Sequence, residues 1–183
     1  FDQFIPHVSD KPMSKVIFYL FFYSGIREGE LLALTLNDFD FDKNTVSITK
    51  NYARVNNQDI IQTPKTPKSK RTITLPAEIM EMVKEYGGML YDYKPTDRLF
   101  PTQKSFLTRE MVRGCKLSGV KKIRIHDLRH SHASLLIELG FAPLLISERL
   151  GHENVETTLN TYSHLYPNKH GEVAEILSNL MRN

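Results

Sequence analysis

The sequence predicts an α+β domain, mostly helical, with one small three-stranded antiparallel sheet. Three observations predict it. Apolar residues recur at helical spacing through most of the chain beyond Ala77. Only between residues 45 and 75 does the pattern change to β-branched alternation. Cap-forming and turn-forming residues stand where these patterns begin and end. At 183 residues the chain suits one domain, or two small ones, with room for a real core.

Taken in order, Ser9 or Asp10 can cap a first helix, with Pro12 tolerated in its opening turn, running to about Ser24-Gly25. Its apolar heart, Val16 to Tyr23, is eight residues long. Crossing a bilayer takes roughly twenty, and the basic start and small-residue cleavage site of a signal peptide are missing from this stretch. The segment reads as a helix buried on most sides. A second short helix follows in Arg27 to Leu34, and residues 37–44 form a turn-rich acidic link.

Three strand-like pieces come next, at Thr45 to Lys50, Asp59 to Thr63 and Arg71 to Leu75. Val46, Ile48, Ile73 and Leu75 give them one apolar face. Asn56-Asn57 supplies the first turn, and Pro64 to Lys70 a second, basic one. Helices are then expected over about 77–90, 105–118, 127–139, 143–150, 155–162 and 169–181. Gly140 and Gly151 fall just past two of them, where left-handed caps belong. Val173, Ile176, Leu177 and Leu180 give the last helix an apolar stripe, for a neighbouring protomer or for its own domain.

Composition excludes some classes. Hydrophobic residues make up 40% and charged residues 25%, which rules against a disordered chain. The single cysteine, Cys115, excludes an internal disulfide and a cysteine-built zinc site, fits a reducing cytoplasm, and reads as a packed thiol. A net charge of +3 permits a polyanionic partner without requiring one.

Four patches can carry chemistry. In Ser24-Gly-Ile-Arg-Glu-Gly-Glu30, Gly25 permits a tight turn and Glu30 can orient the Arg27 guanidinium across one helical turn. The basic turn Pro64 to Arg71 offers Lys65 or Lys68 as a mobile point charge or proton donor. In His126-Asp-Leu-Arg-His-Ser-His132, His126 and Arg129 share a helix face. His126 and His130 also have the spacing of paired zinc ligands, although Asp127 stands where the helical zinc-protease pattern wants Glu. His132 reads as a packed or hydrogen-bonded histidine. In the fourth patch, His152 follows a helix-ending glycine and Tyr162 lies ten residues later.

In combination and order, these patches resemble the tyrosine recombinase (phage integrase) family. The resemblance extends to Ser-Gly-Ile-Arg with Glu30, Pro-Lys-Thr before Arg71, His-Asp-Leu-Arg-His-Ser, Leu-Gly-His and Thr-Tyr-Ser-His, and spans Arg27 to His164, about three quarters of the chain. Its texture is closest to integrases of Gram-positive phages and conjugative transposons.

The resemblance implies a site-specific recombinase that cleaves and rejoins DNA through a 3′-phosphotyrosine, with neither metal nor ATP. Tyr162 would be the nucleophile, with Tyr166 a distant second candidate. Arg27 and Arg129 would clamp the scissile phosphate, His152 would hydrogen-bond it, and His126 would act as acid and base. Lys65 would protonate the leaving oxygen, with Lys68 as the alternative, and Glu30 would support the arginines. An unperturbed phenol near pKa 10 is ionised about one part in a thousand at neutral pH, so Tyr162 would need such help.

The implied partners are double-stranded recombination sites, bound by a homo-tetramer that is monomeric without DNA. The implied location is the cytoplasm of a bacterium, with the gene bacterial or phage-encoded. Residues 1–183 would form the catalytic domain, with the family's N-terminal DNA-clamping domain absent from this chain, since about 25 residues before Arg27 leave room for one helix only.

Overall fold

A computed structural model of the chain describes residues 1–64, 66–166 and 170–182. Its centre is helix α1 (Pro12–Ser24), where Val16, Ile17, Phe18, Leu20 and Phe21 are all buried. Lys11, rather than Ser9 or Asp10, occupies the N-cap. Both expected caps are engaged elsewhere: the Ser9 hydroxyl donates to the Ile5 carbonyl at 2.8 Å, and Asp10 accepts from Arg113 at 2.9 and 3.1 Å. Pro12 at the first helical position needs no N–H partner and starts the helix without a side-chain cap. Gly25, at φ 64°, ends it.

A short helix α2 (Glu28–Leu32) turns back from there. Strands β1 (Phe39–Asp40), β2 (Thr45–Ile48), β3 (Asn51–Val55), β4 (Gln58–Gln62) and β5 (Arg71–Thr74) follow. The three-stranded antiparallel sheet has the order β1-β2-β5, with Val46 opposite Ile73 and Phe39 opposite Val46. Its membership differs from expectation. The piece at 59–63 pairs with β3 in a separate two-stranded hairpin, and Phe39-Asp40, read as part of a link, forms one edge strand.

The physical reason is burial. Every residue of β4 is exposed, so Gln58 to Gln62 has no inward face for a core sheet, whereas Ile73 on β5 is 5% exposed and pairs directly with β2. Asn56 (φ 50°) and Asn57 (φ 62°) form the hairpin tip, both in the left-handed region that a two-residue hairpin turn demands. Arg98 ties the hairpin to the body: its guanidinium lies 4.5 Å over the Tyr52 ring and donates to Asp59 at 3.0 Å.

The remaining helices are α3 (Ala77–Gly88), α4 (Lys104–Ser118), α5 (Asp127–Glu138), α6 (Pro143–Leu150), α7 (Val155–Tyr162) and α8 (His170–Met181), each within about two residues of its expected bounds. One large core gathers α1, α2, the sheet, α3, α4 and the start of α5. Cys115 is buried within it, its thiol 3.6 Å from the Met111 sulfur. A second, small core joins Ala133 and Ile137 of α5 to Ile146 and Leu150 of α6 and to Tyr162 of α7. His132 links the two: its Nδ1 bonds the Phe22 carbonyl at 2.8 Å and its Nε2 accepts from Arg149 at 3.1 Å. Burial first, and then the Arg149 charge, pushes its pKa down to about 4. It is the packed, hydrogen-bonded histidine its context suggested. On α8, Val173, Ile176, Leu177 and Leu180 are all at least half exposed, so the apolar stripe does not pack on its own domain.

Candidate active site

Three arginines meet at the C-terminal end of α6. Helix ends carry backbone carbonyls without intrahelical partners and a partial negative charge. Here three consecutive carbonyls each accept from a different arginine. Arg149 accepts from Arg71 Nε at 2.7 Å, Leu150 from Arg129 at 2.7 Å, and Gly151 from Arg27 at 3.0 Å. Gly151 is required at this point by its φ of 67°, and a Cβ there would meet the Arg71 guanidinium at 2.9 Å.

A single buried carboxylate, Glu30, faces this cluster. It accepts from Arg71 at 2.9 and 3.1 Å and from Arg27 at 2.8 Å, and its other contact, at 3.0 Å, is the Arg27 backbone N–H. Glu30 is the third residue of α2, so this last bond also caps the helix whose start presents Arg27. Burial raises the Glu30 pKa, but the hydrogen bonds and charge of Arg71, with the charge of Arg27, outweigh it and hold the carboxyl below its ordinary value.

Gly25 completes the frame. Its carbonyl accepts from Arg129 at 2.7 Å, and a Cβ on it would meet His132 and Leu150 at 2.7 Å. Arg129 is 4% exposed, and burial followed by the charges of Arg27 and Arg71 pulls its pKa down to about 9.

The arginines differ in what they have left to give. A guanidinium carries five N–H donors. Arg71 makes four bonds, to Glu30 twice, to the Arg149 carbonyl and to the Ser69 carbonyl, whereas Arg27 and Arg129 make two each among the described residues. Arg71 is a fastening. Arg27 and Arg129 retain unused donors among the described residues.

Arg27 opens onto a cleft of about 430 Å³ that is also lined by Pro64, Thr66, Gly151 and His152. The His152 Nδ1 is held by the Thr158 hydroxyl at 2.8 Å, which leaves Nε2 as the ring's second contact atom. Burial, then the charges of Arg129, Arg27 and Arg71, pushes His152 down to about 4, so the ring is neutral at pH 7. Lys65 lies outside the described residues; its neighbours Pro64 and Thr66 line this cleft, whereas Lys68 lines an adjacent one that His152 also borders.

Tyr162, the last residue of α7, is 4% exposed, and burial raises its pKa, with Arg129 acting in the opposite sense. Its hydroxyl is 2.7 Å from Nδ1 of His130, not from His126. His126, the residue preceding α5, packs edge-on against His130 with ring centroids 5.0 Å apart, and burial followed by the charges of His130 and Arg129 lowers its pKa. The Tyr166 hydroxyl is buried without a hydrogen-bond partner among the described residues, so only Tyr162 of the two phenols has a basic neighbour. No cluster of three or more potential metal ligands occurs among the described residues, and the His126–His130 spacing lacks a third ligand there.

The structure therefore brings together Arg27, Glu30, Arg129 and His152 around the α6 terminus, and places Tyr162 and His126 about His130. Arg71 and His130 also stand in these clusters and were not marked by order and spacing. Arg71 could have been found as a charge in a strand beside a basic turn. The signal for His130 was its place one turn after His126, a spacing that also suits paired zinc ligands.

The phage integrase family model matches residues 3–169. The chain belongs to the phage integrase (tyrosine recombinase) family. It is 32% identical over 199 residues to the ICEBs1 integrase of Bacillus subtilis, covering 99% of this chain and 53% of that protein. It is 31% identical over 192 residues to a XerC-like tyrosine recombinase of Caldanaerobacter subterraneus, covering 91% and 49%. This integrase-family chain thus spans about half the length of the curated relatives it matches. Its fold matches that of the Tn1549 transposon integrase, solved in complex with a circular-intermediate DNA, with a TM-score of 0.81 at 19% identity over 98% of this chain and 63% of that one.

Proposed function

We propose that residues 1–183 are the catalytic domain of a site-specific DNA recombinase that breaks and rejoins strands through a 3′-phosphotyrosine on Tyr162. The observation that carries this reading is the cation cluster. Arg27 and Arg71 bind one carboxylate, Arg129 is fastened to the helix end beside them, and Arg27 and Arg129 keep unused donors beside a neutral imidazole. Such an excess of fixed positive charge is stabilised by an anion, and planar guanidinium forks match a phosphodiester.

In this mechanism Arg27 and Arg129 bind the non-bridging oxygens and stabilise the charge that grows on them. His152 donates a further hydrogen bond from Nε2. Tyr162 Oη attacks phosphorus, the bond from phosphorus to the 5′-oxygen breaks, and Lys65 gives that oxygen a proton. His126 serves as an acid/base imidazole at the same centre. The protein–DNA bond conserves the phosphodiester energy, so a second 5′-hydroxyl can reseal the strand without nucleotide hydrolysis. That the Tn1549 integrase was solved with a circular-intermediate DNA supports double-stranded DNA as the partner. The exposed stripe of α8 suits a neighbouring protomer in a DNA-bound tetramer, and the reading places this chemistry in a bacterial cytoplasm.

The test uses a nicked duplex carrying a site that the full-length protein selects from a randomised pool. Wild-type protein should accumulate a covalent adduct, and Tyr162→Phe should form none. An undiminished adduct with Tyr162→Phe would rule the proposal out.

A further inference from the structure

We infer that His130 is the group that takes the phenolic proton as Tyr162 attacks. This rests on the reading of Tyr162 as the nucleophile and deepens it, because it assigns a catalytic role to a histidine outside the set derived from the sequence. The Tyr162 hydroxyl lies 2.7 Å from His130 Nδ1, within the range for a direct proton transfer. Burial holds the phenol in its neutral form, so its one O–H donates and Nδ1 accepts. The ring proton of neutral His130 is then on Nε2.

His126 is the competing acceptor, and the geometry disfavours it. It packs against His130, ring edge to ring face at 5.0 Å, and among the described residues the Tyr162 hydroxyl bonds His130 instead, the His130 and Tyr162 rings being tilted against each other at 5.6 Å. The titratable and charged groups around His130 are His126 and Asp127 on the preceding turn, Arg129 beside it, Tyr162 from α7, and His152 after α6. Burial, as the first cause, holds both His126 and His152 toward their neutral forms.

The step balances as follows. Tyr162 Oη forms its bond to phosphorus while its proton moves to Nδ1 of His130. The bond to the 5′-oxygen breaks with its electron pair on that oxygen, which takes a proton from Lys65. Resealing runs the same transfers backwards, with His130 returning the proton to the phenol.

The experiment measures single-turnover adduct formation by the full-length protein on the selected nicked duplex, across a range of pH. His130→Ala should slow the adduct by about 100-fold, and added imidazole should restore part of the rate. His130→Asn places an amide oxygen near the Nδ1 position, so it can keep the hydrogen bond but cannot carry the proton. It should melt near wild type yet remain slow. The wild-type rate should rise with pH as the base loses its proton, and the Asn variant should lose that inflection. Wild-type or faster adduct formation by His130→Asn would overturn the inference and make the hydrogen bond a latch that holds Tyr162 inward. A slow Asn variant with an unchanged pH profile would overturn it too, leaving a positioning role. If His130→Ala does not fold, the Asn variant decides. Adduct formation by Tyr162→Phe would instead sink the underlying reading, so the two failures are distinct.

Discussion

Glu30 is the residue on which the arginine cluster depends most. Its partner Arg71 is 6% exposed along the side chain, so removing the carboxylate strands a charge away from water. Glu30→Gln should lower stability by about 3–5 kcal/mol, the usual result of breaking one side of a buried ion pair, as measured by urea unfolding. A second carboxylate supplies a pH dependence. Burial pushes the Glu110 carboxyl up, but hydrogen bonds from Arg113, Lys11 and Ser14 outweigh it and lower the pKa to about 2. A group depressed in this way stabilises the fold above its unfolded value of about 4.5, and that contribution is lost as pH falls toward about 2. Thermal melting should therefore drop across that window, and Glu110→Gln should flatten the drop while lowering the plateau.

At the scale of elements, the close packing of α2 on β3 fixes where Arg27 emerges. A Cβ at Gly29 would strike the Asn51 side chain and come within 2.8 Å of the Tyr52 carbonyl. Gly29→Ala should push α2 outward, costing about 1–3 kcal/mol in a melting experiment and slowing adduct formation more than DNA binding. The stripe on α8 predicts the opposite pattern. Ile176 and Leu177 are more than half exposed, so replacing both with Glu should shift stability by no more than about 0.5 kcal/mol per site, while reducing assembly on DNA as seen by sedimentation.

Helix existence was legible because apolar residues recur at helical spacing, with left-handed Gly25 and Gly151 closing α1 and α6. The sheet was less so. The β-branched residues at 59–63 look like any short strand, and only the tertiary competition with Arg71-Thr-Ile-Thr decided which piece joins β2. The site shows the same division. Arg27, Arg129, His152 and Tyr162 could be named from order and spacing, whereas the contact between His130 and Tyr162 spans 32 positions and depends on the angle between two helices.

Across the whole molecule, electrostatics is concentrated rather than large. The net charge is only +3, yet three arginines share one helix end. Lys121, Lys122 and Arg124 line a second cleft, of about 640 Å³, together with His126. The 183-residue chain by itself should bind duplex DNA with a Kd of about 10⁻⁶ M or weaker near physiological salt, and its affinity should fall linearly on a log–log plot against salt. Fluorescence anisotropy across a salt series would measure both, and nanomolar, salt-insensitive binding would contradict the prediction.

The run of carbonyls at Arg149, Leu150 and Gly151 has a consequence for how this chain can change. Successive residues of a helix are rotated by about 100°, so adding or deleting one residue ahead of Arg149 would swing all three acceptors away from their guanidiniums together. Loops elsewhere can lengthen one position at a time. This stretch admits no such gradual drift: its length is locked to three separate parts of the fold, and any viable insertion here would have to arrive with matching changes in all of them.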